Sequence, residues 1–380
     1  MKIAYIANIR LPTEKAHGYQ IMRTCAALAA QGAEVTLLVP TRRNPLGKTD
    51  PFTYYGIAQR FLIVRLPVAD LVGFLRPFIG PLGFWIESFT FARAVKKYLR
   101  SKKTDWVYCR DELILKLLGA LRVPIALELH GISRHPQRYA SLLRRVSLIV
   151  VITRALRDAL MKAGVAVEKV TVAPDAVALE EFSNLPDVAV SRKALNWPAG
   201  KKVALYVGHP YAWKGVFRLA EASEFLSDEW LVIMVGGIPS DLAPLRECVE
   251  SRRLSRVTII PHQERRMLSM YYAAADVLVL PNMIETVHSL YTSPLKLFEY
   301  LAAGRPIVAT ALPSFREIVS EKEVIFAKPS DNKDLARAIR EAGEYDQSAR
   351  VAAAKKLAER YTWDGRATTI LAALNALPKA

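Results

Sequence analysis

The chain of 380 residues is long enough for about two domains, and its 52% hydrophobic content can fill two cores without any low-complexity tract. Its formal net charge is +17, which indicates an anionic partner. No charge-free run reaches the ~18 residues that span a bilayer, and the apolar N-terminus is too short for a signal peptide, so an integral membrane protein is not expected.

The positive charge lies almost entirely in the first half of the chain. Residues 1–180 contain 27 Lys and Arg against 13 Asp and Glu, whereas residues 181–380 contain 26 against 23. A cationic half favours acidic lipid, nucleic acid or a phosphorylated acceptor as partner. The three cysteines, Cys25, Cys109 and Cys248, show no metal-like spacing and indicate a reducing cytosol. We therefore expect a cytoplasmic protein, peripheral on the inner face of the cell membrane.

Short apolar segments of β type alternate with helical patterns along the chain, which predicts βα units and parallel sheets. In the first half the predicted strands are Lys2–Ala7, Val35–Val39, Phe61–Leu66, Trp106–Cys109, Ile125–Leu129, Leu148–Ile152 and Val170–Ala173. In the second half they are Val203–Val207, Leu231–Val235, Val257–Ile260, Val277–Leu280, Pro306–Ala309 and Val324–Phe326. A polar, proline-containing stretch separates the two series. Two doubly wound domains are predicted, residues 1–176 and 177–362, followed by a last helix at 363–380 that has no strand after it.

The segment Leu71–Lys103 combines bulky apolar side chains with a series of cations. Within it, Trp85–Arg100 predicts an amphipathic helix that carries Trp85, Lys96 and Lys97. A basic and aromatic profile is typical of a segment that lies in a membrane interface, so these residues form a predicted membrane-side surface. The alternative is a helix packed against the first sheet, with a solvated basic end.

His130 directly follows the predicted strand Ile125–Leu129, at the edge where doubly wound sheets bind their ligands. A lone histidine is usually structural, but this position and the following Gly131 favour an active-site role. Four arginines follow in the sequence and predict a second basic patch that could face a phosphate-bearing acceptor. They are Arg134, Arg138, Arg144 and Arg145.

The second domain opens with a strand, a glycine-bearing loop, a lysine and a helix, in the segment Tyr206-Val207-Gly208-His209-Pro210-Tyr211-Ala212-Trp213-Lys214-Gly215. Backbone N–H groups and one ammonium converge on an anion in such an arrangement, which predicts a phosphate site. The loop has neither the dinucleotide-binding nor the P-loop glycine pattern. Gly208, His209 and Lys214 are the candidate phosphate-binding residues, and the alternative is a solvated lysine after a strand.

The segment Ser293–Gly304 predicts a loop that leads into a short helix with a glycine at its C-terminal end. Lys296 and Glu299 are three residues apart, so they share a face near the helix N-terminus, where anions collect. A carboxylate held there can accept two hydroxyls of a ribose. The segment therefore predicts a binding site for a nucleoside diphosphate, and the alternative is a glutamate that only caps or pairs on its helix.

These two segments resemble the signature of the retaining glycosyltransferases of family 4. The order of strands and helices resembles the GT-B fold over nearly the whole chain, an α/β fold of two Rossmann-like, doubly wound parallel-sheet domains facing a cleft. The resemblance implies that the second domain binds a UDP- or GDP-sugar, that the first domain binds the acceptor and that the last helix crosses back to the first domain. The implied activity is transfer of a hexose to a glycan or lipid-linked acceptor.

In the family, the signature contains two glutamates separated by seven residues. Glu299 matches the second glutamate, whereas Tyr291 stands at the position of the first. Tyr291 has no carboxylate, so the sugar contact of the first glutamate would pass to Glu285, if Glu285 is not simply a solvated loop residue, or to the backbone amides of Thr292–Leu295, which include Ser293 and Leu295.

The resemblance also implies roles for the remaining motifs. Lys214 matches the lysine that binds the donor diphosphate and neutralises the leaving nucleotide, and His209 stands where arginine is usual. Gly18 matches a glycine that lets the first loop approach the donor phosphates. His130 would orient the sugar and stabilise charge in the transition state. His130, Lys214 and Glu299 are thus the predicted catalytic residues, and neither a metal nor a cofactor is expected.

Two other classes of function fit parts of the sequence. A sugar-nucleotide epimerase or hydrolase on the same fold would consume the donor without an acceptor. A non-enzymatic basic protein that binds membrane or nucleic acid fits the sequence pI of 9.8, but there is no recognised nucleic-acid motif. We therefore expect a nucleotide-sugar donor, a glycan or lipid-linked acceptor and an anionic membrane surface as partners, and no nucleic acid.

Overall fold

The computed structural model describes residues 1–70, 81–131, 140–284, 291 and 293–377. The chain divides into two compact units. Unit one comprises Met1–Pro174 and Trp363–Ala380, and unit two comprises Asp175–Thr362.

Unit one is built on a seven-stranded parallel sheet. Its strands are β1 Lys2–Ile6, β2 Glu34–Pro40, β3 Leu62–Leu66, β4 Trp106–Cys109, β5 Ile125–Leu129, β6 Leu148–Val151 and β7 Val170–Val172. The spatial order is β3-β2-β1-β4-β5-β6-β7, so the winding direction reverses between β1 and β4. Every residue of β4, β5 and β6 is buried, because helices cover both faces of a parallel sheet.

Helices connect the strands of unit one and cover its sheet. They are α1 Ala16–Ala30, α2 Pro51–Tyr55, α3 Pro81–Ser101, α4 Glu112–Leu118, α5 Ala140–Arg145, α6 Arg154–Lys162 and, at the end of the chain, α15 Trp363–Ala376. Although α15 follows unit two in sequence, it packs on α1 and closes the core of unit one.

Unit two is built on a six-stranded parallel sheet in the order β10-β9-β8-β11-β12-β13. Its strands are β8 Lys202–Val207, β9 Trp230–Val235, β10 Val257–Ile260, β11 Val277–Leu280, β12 Ile307–Thr310 and β13 Ile325–Ala327. Its helices are α7 Val188–Ala194, α8 Val216–Ala222, α9 Pro239–Ser251, α10 Leu268–Ala274, α11 Leu295–Ala302, α12 Pro313–Arg316, α13 Asn332–Glu344 and α14 Ser348–Ala358. The winding direction reverses between β8 and β11, and this reversal defines the switch point of the sheet.

The two faces of β8 show how the core of unit two is divided. Val203, Leu205 and Val207 belong to one buried cluster, whereas Ala204 and Tyr206 belong to the other. This alternation follows from the two-residue period of a strand. Both faces are apolar, so the strand reads as one continuous hydrophobic run.

The predicted strand pattern is confirmed: each of the thirteen predicted strands has a counterpart whose ends lie within one residue of the prediction. The boundary between the units falls after Pro174, whereas the sequence analysis placed it after residue 176.

Candidate functional site

The candidate donor site lies at the carboxyl edge of the sheet in unit two, at the switch point. The loop after β8 and the loop after β11 meet there, since the carboxyl ends of parallel strands share one edge. Gly215 ends the first loop at φ 72°, and a Cβ at this position would lie 1.8 Å from the carbonyl oxygen of Pro281. Only glycine allows this approach. The amide of Met283 also donates to the carbonyl of Trp213 at 3.0 Å, which fixes the two loops together.

Glu299 is almost fully buried on α11, with 2% of its surface exposed. Its Oε2 accepts hydrogen bonds from the Lys296 ammonium at 2.6 Å and from the Tyr272 hydroxyl at 2.7 Å. Its Oε1 accepts from Arg265 Nη2 at 3.0 Å, and the same nitrogen lies 2.7 Å from Oε2 of Glu181. The carboxylate is therefore held in one orientation by three donors, in what we call the Glu299 network (Glu181, Arg265, Tyr272, Lys296 and Glu299).

The charge state of Glu299 follows from these contacts. Burial by itself raises the pKa of a carboxyl, but the charges of Lys296 and Arg265 outweigh burial and hold the pKa of Glu299 at about 2. The pKa of Tyr272 is raised well above its usual value, by burial first and by Glu299 second, so its hydroxyl stays a donor. Glu299 is thus an ionised acceptor at every pH near neutrality.

Two lysine ammonium groups lie near each other in this site. Burial lowers the pKa of Lys296, although Glu299 opposes that effect. Burial and the neighbouring charge of Lys296 lower the pKa of Lys214 to about 8. Within the described part of the chain, the Lys214 ammonium meets aromatic rings rather than a carboxylate, at 5.4 Å from the Tyr211 ring and 5.5 Å from the Trp213 ring. A poorly solvated ammonium beside a second cation is a site that an anion would stabilise.

The other donor-site residues predicted from sequence have structural partners at the same edge. His209 is buried, its Nδ1 lies 3.3 Å from Asp241 Oδ2 and its ring stacks on Tyr211 at 5.4 Å. Gly208 precedes it, with Tyr206 packed where a Cβ would lie. His209 is therefore a buried, structural part of the loop that carries Lys214.

Around the N-terminus of α11, Ser293 is buried and its Oγ accepts from the backbone amide of Asp175 at 3.2 Å. Leu295 is the first residue of α11. Tyr291 is half-buried, whereas Glu285, proposed as a substitute for the missing glutamate, lies outside the described residues.

In unit one, His130 directly follows β5, at the carboxyl edge of that sheet. Its Nε2 lies 2.6 Å from Oε1 of Glu128, a carboxylate within the strand that is completely buried. The structure thus gives His130 a partner that the sequence analysis did not single out.

Gly18 lies inside α1 and is buried. A Cβ added there would be 2.2 Å from the Tyr55 hydroxyl and 2.6 Å from Thr13 Cγ2, so close packing within unit one requires glycine at this position. Its predicted approach to donor phosphates remains a prediction.

The predicted arginine patch beside His130 is not formed by the residues that the structure describes. Arg144 and Arg145 end α5, which runs back from the carboxyl edge of the sheet to the start of β6. Arg145 donates to the carbonyl of Gly119, which precedes β5, so both arginines lie at the amino edge, opposite His130. Arg134 and Arg138 lie outside the described residues.

Helix α3 carries the predicted membrane-side residues. Its buried face includes Phe91 and Val95, and its opposite face is exposed. That exposed stripe, at helical spacing, consists of Leu82, Trp85, Phe89, Arg93, Lys97 and Arg100. Leu82 is 57% exposed, Trp85 50% and Phe89 56%, and Lys96 lies beside the basic end of the stripe. None of the helices described here is long and apolar enough to cross a membrane.

Sequence reasoning missed several polar residues that the structure brings into the two sites, among them Glu128, Arg265 and Tyr272. Glu128 had a readable signal, since it is the one charged residue in the otherwise apolar strand Ile125–Leu129. Arg265 and Tyr272 lie in a turn and a helix whose own sequence carries no ligand pattern. Among the described residues, no group of three or more His, Cys, Asp or Glu is placed to hold a metal ion.

Two parallel-sheet units of this topology define a GT-B protein. Sucrose-phosphate synthase from Thermosynechococcus elongatus has this fold, with a TM-score of 0.77 at 20% identity over 99% of this chain and 98% of that one. HepE from Anabaena, in a structure that holds UDP and glucose, also has a TM-score of 0.77 at 20% identity, over 99% of this chain and 100% of that one.

Two family descriptions match the sequence: Glycosyltransferase Family 4 over residues 18–181, and Glycosyl transferases group 1 over residues 201–344. The chain belongs to the family-4, group-1 glycosyltransferases. A D-inositol 3-phosphate glycosyltransferase from Xylanimonas cellulosilytica is 28% identical over 222 residues, which are 55% of this chain and 51% of that protein. The putative colanic acid biosynthesis glycosyltransferase WcaL from Escherichia coli K12 is 26% identical over 266 residues, which are 66% of this chain and 63% of that protein. The chain thus spans less than two thirds of the length of these relatives.

Proposed function

We propose that this chain is a retaining, metal-independent glycosyltransferase that moves a hexose from a UDP- or GDP-sugar to a glycan or lipid-linked acceptor. The observation that carries the proposal is the arrangement in unit two of the ionised Glu299 beside the ammonium groups of Lys296 and Lys214. A nucleoside diphosphate offers hydroxyls for the carboxylate and negative charge for the lysines. The UDP and glucose bound by HepE support the same class of donor.

The chemistry assigned to these residues follows from the charges that change in the reaction. Transfer breaks the bond between the anomeric carbon and the terminal phosphate oxygen, and the leaving diphosphate gains negative charge. Lys214 and Lys296 would stabilise that charge as it develops. For a retaining outcome, the acceptor oxygen attacks the face from which the phosphate leaves, and a phosphate oxygen takes the acceptor's proton. No side chain of the protein then needs to act as the base.

The proposal predicts a nucleotide-specific gain in thermal stability in the presence of EDTA. A ligand that binds only the folded state at 100 times its Kd stabilises by about 2.7 kcal/mol. We expect UDP or GDP, and the corresponding sugar nucleotide, to raise the Tm, while CMP and ADP leave it near the value of the free protein. The measurement is a thermal-shift series over these nucleotides. The absence of a shift with every member would contradict the proposed donor site.

Product analysis separates the enzyme classes. A transferase leaves most of the donor intact until an acceptor is added, whereas a hydrolase or epimerase consumes the donor alone. The anomeric configuration of the transferred sugar, read by NMR, tests retention independently of donor binding.

A second proposal concerns the acceptor side of unit one: the exposed stripe of α3 lies on an anionic membrane. Three large apolar side chains are exposed at one end of the stripe, and cations line its other end. Beside that basic end is a shallow pocket of about 550 Å³, lined by Arg93, Lys96, Lys97 and Arg100 together with small or apolar residues. Apolar insertion together with attraction to acidic lipid is the usual basis of such interfacial binding. A lipid-linked acceptor would be presented at the same surface.

Two variants test this surface by co-sedimentation with vesicles. Trp85→Ala/Phe89→Ala and Lys96→Gln/Lys97→Gln are each expected to reduce binding to vesicles that contain phosphatidylglycerol, because they remove the apolar and the electrostatic contribution respectively. Phosphatidylcholine vesicles should bind weakly. The matched control is Lys355→Gln/Lys356→Gln, two exposed neighbouring lysines on α14 of unit two. Equal loss in the control, or no difference between the two lipids, would reject the surface.

A further inference from the structure

Glu128 is a buried charge in the middle of an apolar strand. It lies on β5 between Leu127 and Leu129 and has no exposed surface. Burying a carboxylate is costly unless it is paired and hydrogen-bonded, and an apolar residue in the same place is often no less stable. Its presence in a strand that is otherwise ideal for a core therefore calls for a role beyond stability.

Several donors from different parts of unit one converge on this carboxylate. Its Oε1 lies 2.8 Å from Gln20 Nε2 and 3.1 Å from Arg366 Nη2, and Arg110 Nε is 3.9 Å away. The Tyr108 hydroxyl donates to Oε2. Burial alone raises the pKa of Glu128, but Arg366, His130 and Arg110 outweigh it, and the pKa lies well below its usual range. The carboxylate is ionised, and it can only accept hydrogen bonds.

The most exposed member of this group is His130, at the ligand-binding edge. Tyr108 and Gln20 are no more than 2% exposed. The side chains of Arg366 and Arg110 are 2% and 15% exposed, whereas 27% of the His130 side chain is exposed. His130 Nε2 lies 2.6 Å from the same Oε1 that receives the Arg366 and Gln20 contacts. Since an ionised carboxylate has no proton to give, the Nε2 atom must carry the hydrogen of this contact. The contact thereby fixes both the orientation of the imidazole ring and the position of its proton.

We propose that Glu128 is a positioning residue for His130. It holds the ring so that Nε2 donates into the protein and Nδ1 is the ring nitrogen directed away from the carboxylate. Arg366 of α15 anchors the same carboxylate oxygen and is itself fixed, since its Nε donates to the carbonyl of Pro174 at 3.0 Å and its Nη1 to Thr24 Oγ1 at 3.2 Å. The proposal rests on the proposed function in one respect, that His130 acts on the transferred sugar.

The first test does not depend on turnover. In the wild-type protein, the ¹⁵N NMR signals of His130 should show a protonated Nε2, and in Glu128→Gln the two tautomers should mix because the amide can either donate or accept. A neutral wild-type ring with its proton on Nδ1 would overturn the assignment.

The second test uses kinetics and a matched control. We expect Glu128→Gln to lower kcat by at least ~10-fold with little change in the donor KM. A misplaced His130 ring stabilises the transition state less, while binding of the donor in the ground state changes little. Ile125→Ala removes buried apolar packing at the amino end of the same strand, away from His130, so it should lower the Tm but leave kcat unchanged. Equal loss of kcat in Ile125→Ala would mean that lost stability of the strand, and not the position of the ring, lowers turnover.

A double-mutant cycle completes the test. If Glu128 acts through His130, adding Glu128→Gln to His130→Ala lowers kcat no further. Additive losses of kcat would show that Glu128 does not act through His130. Full turnover in His130→Ala would show that His130 has no role in the reaction. Neither result touches the donor site in unit two, whose nucleotide-dependent Tm shift reports separately on the proposed function.

Discussion

Replacing Glu299 by glutamine is expected to weaken binding of the nucleotide donor by at least ~100-fold, with loss of most turnover. A hydrogen bond to a charged group contributes about 1.5–3 kcal/mol, and a ribose can donate two to this carboxylate. Glutamine keeps the shape of the side chain but removes the charge that also orders Lys296. Isothermal titration with the nucleotide identified by thermal shift gives the Kd directly.

The same substitution should reduce stability, which the sequence alone did not predict. In the structure Lys296 and Arg265 are ion-paired to Glu299, and breaking one partner of a buried pair typically costs about 3–5 kcal/mol. Glu299→Ala is therefore expected to fold poorly, and glutamine, which retains an acceptor oxygen, is the informative replacement. Chemical denaturation of Glu299→Gln measures the stability loss.

Glu181→Gln is the matched control for Glu299→Gln. Glu181 pairs with the same guanidinium of Arg265 at 2.7 Å, but its side chain is 25% exposed and carries no predicted ribose contact. We expect a small loss of stability and a donor Kd within ~3-fold of the wild type, as for other partly exposed pairs. If Glu299→Gln binds the donor with the wild-type Kd but is less stable, the role of the Glu299 network is structural only.

The fold was predictable from sequence because its strands are unambiguous. A parallel strand buried on both faces is a short continuous apolar run, such as Val203–Val207, and polar or glycine-containing turns end each run. Because β8 and β11 are parallel neighbours, the loops after these strands lie at the same edge. From sequence, Lys214 and Glu299 were predicted as two separate anion-binding segments, and the resemblance to the family signature grouped them.

Other features depend on tertiary contacts that leave no local pattern. Arg265 and Tyr272 enter the Glu299 network from a turn and from α10, and neither segment signals a ligand. The placement of Arg144 and Arg145 was wrong because nearness in sequence to His130 was taken as nearness in space. Helix α5 carries those arginines away from the ligand edge. Gly18 matched a family position, and its close packing against Tyr55 became visible only in the structure.

Replacing Lys214 by methionine is expected to separate binding from stability, since the two should change in opposite directions. The pKa of Lys214 is about 8 instead of 10.5. Each pKa unit corresponds to about 1.4 kcal/mol, so the folded state carries a penalty for this charge of roughly 3.5 kcal/mol before solvent screening, and screening reduces it. Because the folded pKa is the lower one, the penalty is complete below pH 8 and disappears as the pH rises toward 10.5. At pH 7 Lys214→Met should therefore raise the Tm while donor affinity falls by ~10–100-fold through the lost charge-assisted contact.

The pH dependence of donor binding provides the sharper test of Lys214. Wild-type affinity should decline as the pH rises through 8, because the free protein then loses the ammonium that the diphosphate needs, and Lys214→Met should lack this decline. The matched control is Lys202→Met. Lys202 lies at the amino end of β8, the strand that precedes the Lys214 loop, and its ammonium also lies over an aromatic ring, 5.7 Å from the centre of the Trp230 ring. That variant should keep the wild-type affinity and its decline above pH 8. If Lys214→Met kept the wild-type donor affinity and its decline above pH 8, Lys214 would have only a structural role in its loop. Lys296 alone would then have to balance the charge of the diphosphate.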